Sequence, residues 1–390
     1  MGLADRMSRV GTESAFEVLT MARALEAQGR KIIHLEIGEP DFDTPAHITE
    51  AAMQALRDGQ THYCPAPGIP ELREAASAFF ERTRGVDFPP DRIVVVPGAK
   101  PILFFTIMAL CDEGDEVIYP DPGFPMYESI SALVGATPVP IRLREENAFR
   151  VDPEELASLV TDRTRLLILS SPHNPCGSAL TRSDLEAIAE AIRGRDIYVL
   201  SDEVYWAIRY EGAHESIAEL DGLADRTILL DGCSKSFAMT GWRLGFAAFP
   251  EPLVEPVTRL VINAVSCTAT FTQHAAVAAL TGPWEPIEEM VREFRTRRDV
   301  IVEGLNGIEG ITCLEPAGAF YVFPNVSALG GTGRDLVTYL LEEAGVAGLW
   351  GTAFGPAGEG YLRFSYANSV ENIRAALEAI EAVLPGYRGG

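Results

Sequence analysis

The sequence predicts an α/β fold, in which a mostly parallel sheet is buried between helices and is followed by a smaller α+β unit. Two observations carry that expectation. Between about residues 90 and 250, short continuous apolar runs alternate with amphipathic helical patterns, as strands covered on both faces require. Beyond that stretch the pattern changes to a long charged helix and then to mixed strands and helices. The length of 390 residues exceeds one small core, and 47% hydrophobic with 23% charged residues describes an ordinary globular composition.

Taken in order, PAHITEAAMQALRDG and IPELREAASAFFERTRG read as helices closed by glycines, with Thr44 a candidate cap before Pro45. RIVVV followed by PILFFTIMALC opens the alternation. DEVIYP comes next, then a turn and YESISALV; RLLILSS leads into SDLEAIAEAI; IYVLSDE, RTILLDG and LGFAAFP supply further strands. PWEPIEEMVREFRTRRDVIVEGLNGI is the long helix. In the tail, GAFYVFP and GYLRFSYA read as strands, GRDLVTYLLEEAG and SVENIRAALEAIEAVL as helices, and the GGTG at 330–333 as a helix-start loop. The first forty residues are expected to join this tail. No internal repeat, low-complexity tract or long linker interrupts the chain.

Composition narrows the function. A formal charge of -24 argues against nucleic acid, whose phosphates need clustered positive charge. The six cysteines are scattered without C-x-x-C spacing and read as reduced thiols of a cytoplasmic protein. The first 25 residues contain acidic groups and no uninterrupted apolar run, so neither a secretory signal nor a membrane span is expected. The six histidines show no metal-ligand spacing, and no metal is expected. There is no G-x-G-x-x-G after a strand, no P-loop and no nucleophile elbow.

Lysine is rare: only Lys31, Lys100 and Lys235 among 32 basic residues. Lys235, in GCSKSFAMTGWR, is placed where an amine has a use that Arg lacks, as a neutral nucleophile toward a carbonyl. Four segments fall at successive strand ends, where ligands of open α/β sheets collect: Gly98-Ala99-Lys100, Asn174, Asp202 with Tyr205, and Lys235. Singly each also reads as a cap or a turn. Together they match a cofactor with an aldehyde for Lys235 and a pyridine nitrogen for Asp202. Asn174 and Tyr205 suit a ring oxygen. The backbone of Gly98, Ala99 and Lys100, with the Arg243 guanidinium, suits a phosphate, and Phe124 is the candidate ring to cover one face.

These segments resemble the class I/II aminotransferases of the fold-type I pyridoxal-phosphate enzymes. The resemblance runs from GEPDFDTP (38–45) through Tyr63, GIPELR, SPHNPCG, SDEVY and SKSFAMTGWRLG to GEGYLRFSYAN (358–368). It implies a large domain over 46–284 with a seven-stranded, mostly parallel sheet, and a small domain formed by 1–45 and 285–390. It implies pyridoxal 5'-phosphate as cofactor, held as an aldimine by Lys235 with Asp202, Asn174, Tyr205, Ser234 and Arg243 around it, and a pyridoxamine phosphate intermediate. Lys235, Asp202 and Tyr205 are the implied catalytic residues. Arg363, with Gly38 and Asn174, is implied to hold the substrate α-carboxylate, and Tyr63 to reach the phosphate of a neighbouring subunit in a homodimer. Substrates are then a small amino acid and a 2-oxo acid.

Some positions depart from the commonest pattern of the family. His173 stands where Asn is frequent, Cys176 where Thr is usual, and Gly232 where many members have a phosphate-binding Ser. Leu349-Trp350 replaces what is often Val-Pro, and Trp350 is expected either to narrow the substrate entrance or to pack. The rival closest to an aminotransferase is a lyase, decarboxylase or oxidase on the same scaffold, because fold and cofactor do not dictate which bond breaks. A sensing domain of a transcription regulator is a second rival; it needs a basic DNA-binding module, for which GEPDFDTP at residue 38 leaves little room. A scaffold protein would not need the whole residue set.

Overall fold

A computed structural model describes residues 2–389. Its strands are β1 (Ile33–His34), β2 (Ile93–Val96), β3 (Glu116–Asp121), β4 (Thr137–Arg142), β5 (Thr164–Ser170), β6 (Tyr198–Asp202), β7 (Thr227–Gly232), β8 (Gly245–Ala248), β9 (Tyr321–Val322), β10 (Val346–Ala347), β11 (Leu349–Trp350) and β12 (Leu362–Ser365). Seven of them form one sheet in the order β2-β8-β7-β6-β5-β3-β4. All neighbours from β7 to β4 run parallel, while β8 is antiparallel to both β2 and β7.

The apolar runs work as two-faced strands. Ile93 and Val95 of β2 join the core on one face, whereas Val94 and Val96 join the core on the other. Helices Pro70–Arg84 and Thr270–Thr281 contribute to the first core, and Lys100–Leu110 and Glu251–Val265 to the second. The strand that the apolar pattern does not reveal is β4. It lies at the sheet edge, is largely uncovered, and carries Pro138 and Pro140, which lack the N–H that a central strand must donate. Helix Glu251–Val265 was equally hidden, since Pro256 sits inside it.

The reversal at β8 builds the site. Gly232 at the end of β7 pairs with Gly245 at the start of β8, so residues 233–244 leave and re-enter the sheet at one edge. Lys235 and Arg243 therefore stand above the edge where β5 and β6 end, with Ser170 and Asp202 in register.

The expected helices form at Ala46–Arg57, Pro70–Arg84, Glu285–Gly307, Gly333–Tyr339 and Val370–Val383. Gly85 ends the second of them in the left-handed region at φ 65°. Thr332 caps Gly333–Tyr339 by accepting the Asp335 N–H, as the glycine turn before it suggested. One cap expectation is corrected. Thr44 makes no cap bond; its hydroxyl donates to Ala238 O at 2.6 Å and accepts Trp242 Nε1–H at 2.9 Å, tying the segment before the helix to the Lys235 loop. In the early part of the chain, β1 pairs in parallel with β10 of the tail, and β11-β12-β9 form a separate three-stranded sheet. Among the described residues no helix is long and apolar enough to cross a membrane.

Candidate active site

A cavity of about 360 Å³ opens at the carboxyl edge of the large sheet. Gly38, Ala99, Lys100, Phe124, Asn174 and Asp202 border it, as do Tyr205, Ser234, Lys235, Arg243 and Arg363. Two predicted site residues stand apart. Gly98 lies under the Arg243 guanidinium, and Tyr63 is outside the cavity and 89% exposed.

Asp202, the last residue of β6, is buried, and Tyr127 donates its hydroxyl to Oδ2 at 2.8 Å. Burial pushes its pKa up to about 6 although the Tyr127 bond pulls the other way, so the carboxylate lacks a cationic partner from the chain itself. Tyr205 follows in the turn after β6; its hydroxyl meets that of Tyr321 at 2.8 Å. Burial holds the Tyr205 phenol well above its ordinary pKa, which keeps it a hydrogen-bond donor.

Lys235 sits in the single helical turn Cys233–Ser236, and its Nζ donates to the Gly38 carbonyl. Burial lowers its pKa from 10.5 to about 8; Glu39 opposes this, while Arg363, Lys100 and Arg243 add to it. A side chain at Gly38 would occupy the place of the Tyr321 hydroxyl. Arg243 adopts φ 51° and donates from one guanidinium nitrogen to Thr240 O at 2.8 Å. Gly98, at φ 83°, lies so close beneath that guanidinium that a Cβ there would overlap it. Helix Lys100–Leu110 starts at this point, with Pro101 in its first turn and the Ile102 N–H donated to Ala99 O at 3.0 Å.

Arg363 lies on β12 and is buried over the Tyr321 ring, 4.5 Å from its centroid. It donates to Glu36 O at 2.5 Å and to Asn174 Oδ1 at 3.2 Å. Its Nε–H is buried with no acceptor. The bond to Asn174 Oδ1 leaves the amide nitrogen of Asn174 to donate elsewhere.

Several features were not read from the sequence. Tyr127 and Tyr321 brace the site, and Glu13, Phe16 and Glu39 border the cavity, with Glu13 paired to Lys100 and Glu39 accepting from Thr240. Of the two readings of Trp350, packing is the one observed, and Trp350 does not line the cavity. Leu349 is opposite Arg363 and shares its face, whereas Trp350 is opposite Leu362 and packs under Arg334, 4.9 Å away. His173 is buried and does not line the cavity; burial lowers its pKa to about 3 and keeps it neutral.

The comparisons with known proteins agree on one family. The description "Aminotransferase class I and II" matches residues 30–380. The chain belongs to the class I and II aminotransferases. It is 42% identical to aromatic-amino-acid aminotransferase 2 of Thermococcus litoralis, and 41% identical to an aspartate aminotransferase of Pyrococcus abyssi, in both cases over 98% of each chain. The crystal structure of the aspartate aminotransferase from Rhizobium meliloti superposes with a TM-score of 0.95 at 37% identity, covering 99% of each chain. This aminotransferase uses pyridoxal phosphate and has the fold-type I architecture. The cavity fits that cofactor on its own chemistry. Asp202 is a buried acid without a cation, Lys235 is an amine whose proton is easily lost, and Gly98, lacking a side chain, lets the Arg243 guanidinium lie close to the backbone that opens helix Lys100–Leu110, where an anion can share it.

Proposed function

We propose that this aminotransferase works with Lys235 as the amine that bonds the cofactor aldehyde and moves the substrate α-proton. Pyridoxal phosphate, when bound, supplies the carbonyl that receives the amino group and an electron-poor ring that takes up charge from the α-carbon. Asp202 would hold a positive charge on the pyridine nitrogen, Tyr205 and Asn174 would donate to the ring oxygen, and Phe124 would lie against the ring. The N–H groups of Gly98, Ala99 and Lys100, with Ser234 and Arg243, take the phosphate, and Gly232 offers it no hydroxyl. Arg363 binds the α-carboxylate through its spare Nε–H, assisted by Asn174 and the backbone of Gly38. Lys235 Nζ, whose proton burial makes easy to lose, would serve as the base that takes the proton from the α-carbon.

The convergence of Asp202, Lys235, Arg243 and Arg363 on one cavity carries this reading. Tyr63 is the residue we assign to the phosphate of a second subunit in a homodimer; its 89% exposure supports that. Residues 46–284 would form the cofactor domain, and 1–45 with 285–390 the smaller one. Six unpaired cysteines fit the cytoplasm.

The test is the visible spectrum of the purified protein on adding amino acids singly, then an oxo acid. A band bleached by a donor and restored by the acceptor is expected. Ammonia release or oxygen uptake without an acceptor would pass the reaction to a lyase or an oxidase.

A further inference from the structure

We infer that the amino donor carries an uncharged, apolar side chain, and that Glu13 and Phe16 set this preference; the inference rests on the site assignments above. Among the described residues four cations border the cavity: Lys100, Lys235, Arg243 and Arg363. The assigned chemistry commits Lys235, Arg243 and Arg363, so within one chain Lys100 is the cation left for a second, side-chain carboxylate. Lys100 Nζ is already paired with Glu13. An acidic donor must therefore displace one carboxylate to seat another, and until it does the two like charges stand beside one cation.

Glu13 lines the same cavity as the α-carboxylate clamp, Arg363 over Tyr321. Glu39 adds a second carboxylate to the cavity wall, near Lys235. Three residues after Glu13, Phe16 lines the same cavity and is 60% exposed, one of the large apolar side chains the fold leaves open to water. Leu103, Leu349, Ala353 and Phe354 add further apolar lining to the cavity. An apolar donor side chain gains by covering this lining, and it leaves the Lys100–Glu13 pair intact.

The experiment uses the holoprotein without any oxo acid. Phenylalanine, leucine, aspartate, glutamate and lysine are added singly, and the rate at which each bleaches the visible band gives a second-order constant. Phenylalanine or leucine should exceed the charged donors by about tenfold or more. Glu13→Gln frees Lys100 and should narrow the apolar-to-aspartate ratio by about tenfold, chiefly by raising the aspartate constant. Phe16→Ala should lower the apolar constants and spare aspartate. Calorimetric titration with succinate and with 3-phenylpropionate, neither of which can react, should find that only the second binds the wild type well and that Glu13→Gln gains affinity for succinate. A wild type that prefers aspartate, glutamate or lysine overturns the inference, as does a ratio and a succinate affinity that Glu13→Gln leaves unmoved. A band that no donor moves, with 3-phenylpropionate failing to bind, strikes instead at the site assignments beneath it.

Discussion

Tyr127 donates its hydroxyl to Asp202 across 2.8 Å, and both side chains are buried. The bond is the chain's main support for a charge on Asp202, whose pKa burial has already pushed up to about 6. Tyr127→Phe removes a hydrogen bond to a charged group, worth about 1.5–3 kcal/mol. The pKa of Asp202 then rises further, and its hold on a protonated pyridine nitrogen weakens. Cofactor affinity should fall by about tenfold or more, read by equilibrium dialysis, and kcat should fall with it. A variant with unaltered affinity and kcat would mean that Asp202 does not face the ring.

Lys235 gives a pH signature before any catalysis. Its amine titrates near 8 because burial disfavours the charged form. In the apoprotein, covalent capture of added pyridoxal phosphate should speed up by about tenfold per pH unit below that value and level off above it, followed by the growth of the visible band. Because the unfolded chain holds its proton up to about 10.5, it binds more protons between about 8 and 10.5, and the apoprotein should gain stability as pH rises through that window. Capture that keeps accelerating toward pH 10.5 would place the amine in water. Lys235→Ala should hold the cofactor without the covalent bond, so that borohydride fixes no label, and should lose turnover.

Gly98 tests the phosphate cradle. Its φ of 83° and the guanidinium of Arg243 above it leave no place for a methyl group. Gly98→Ala costs about 1–2 kcal/mol for the left-handed backbone alone and must also push Arg243 aside. Affinity for pyridoxal phosphate should drop by about tenfold or more, while affinity of the loaded protein for an amino acid changes less. Equal losses in both would place the defect in folding.

The sequence made legible what depends on local pattern. The two-faced strands announced themselves as apolar runs, and Asp202, Lys235 and Asn174 fell at strand ends because a parallel sheet delivers its ligand-facing residues there. Long-range partnerships stayed hidden. Nothing near Tyr127 indicates a carboxylate 75 residues away, and GAFYVFP reads as a strand without revealing that Tyr321 stacks under Arg363 and meets Tyr205. The N-terminal helix Ser14–Glu26 buries only Val18 and Ala22, too thin a stripe to mark the element that brings Glu13 and Phe16 to the cavity. Trp350 was ambiguous until the pairing of β11 with β12 decided which of two adjacent residues shares a face with Arg363.

Under the site, Arg84 holds the ends of β6 and β7 together. Its guanidinium reaches Glu203 at 3.0 Å and Asp231 at 2.5 Å, with all three groups buried. Glu203 also accepts from His214, Ser201 and Ser216; burial pushes its pKa up, but His214 and Arg84 outweigh that and bring it to about 2. Removing the cation by Arg84→Met leaves two buried carboxylates and should cost about 3–5 kcal/mol, seen as a large fall in Tm of the apoprotein. In the wild type, the part owed to Glu203 is present above about pH 4.5 and should be lost as pH falls toward 2. An Arg84→Met protein as stable as wild type would remove the network from any structural role.

Arg363 is where geometry, more than charge, should decide the outcome. Two of its nitrogens are spent on Glu36 O and Asn174 Oδ1, and the aromatic rings of Tyr321 and Phe354 fix its plane, so that Nε–H is presented in one orientation. Lysine keeps the positive charge and loses the fork. Arg363→Lys should therefore retain the cofactor and its visible band while kcat/KM for the amino donor falls by about 10–100-fold, the worth of a charge-assisted hydrogen bond. The loss should appear for every donor alike, because the α-carboxylate is common to them, whereas a change confined to one donor would assign Arg363 to the side chain instead. Steady-state kinetics with two donors of different side chain distinguishes these results, and a variant with wild-type kcat/KM for both would take Arg363 out of substrate binding.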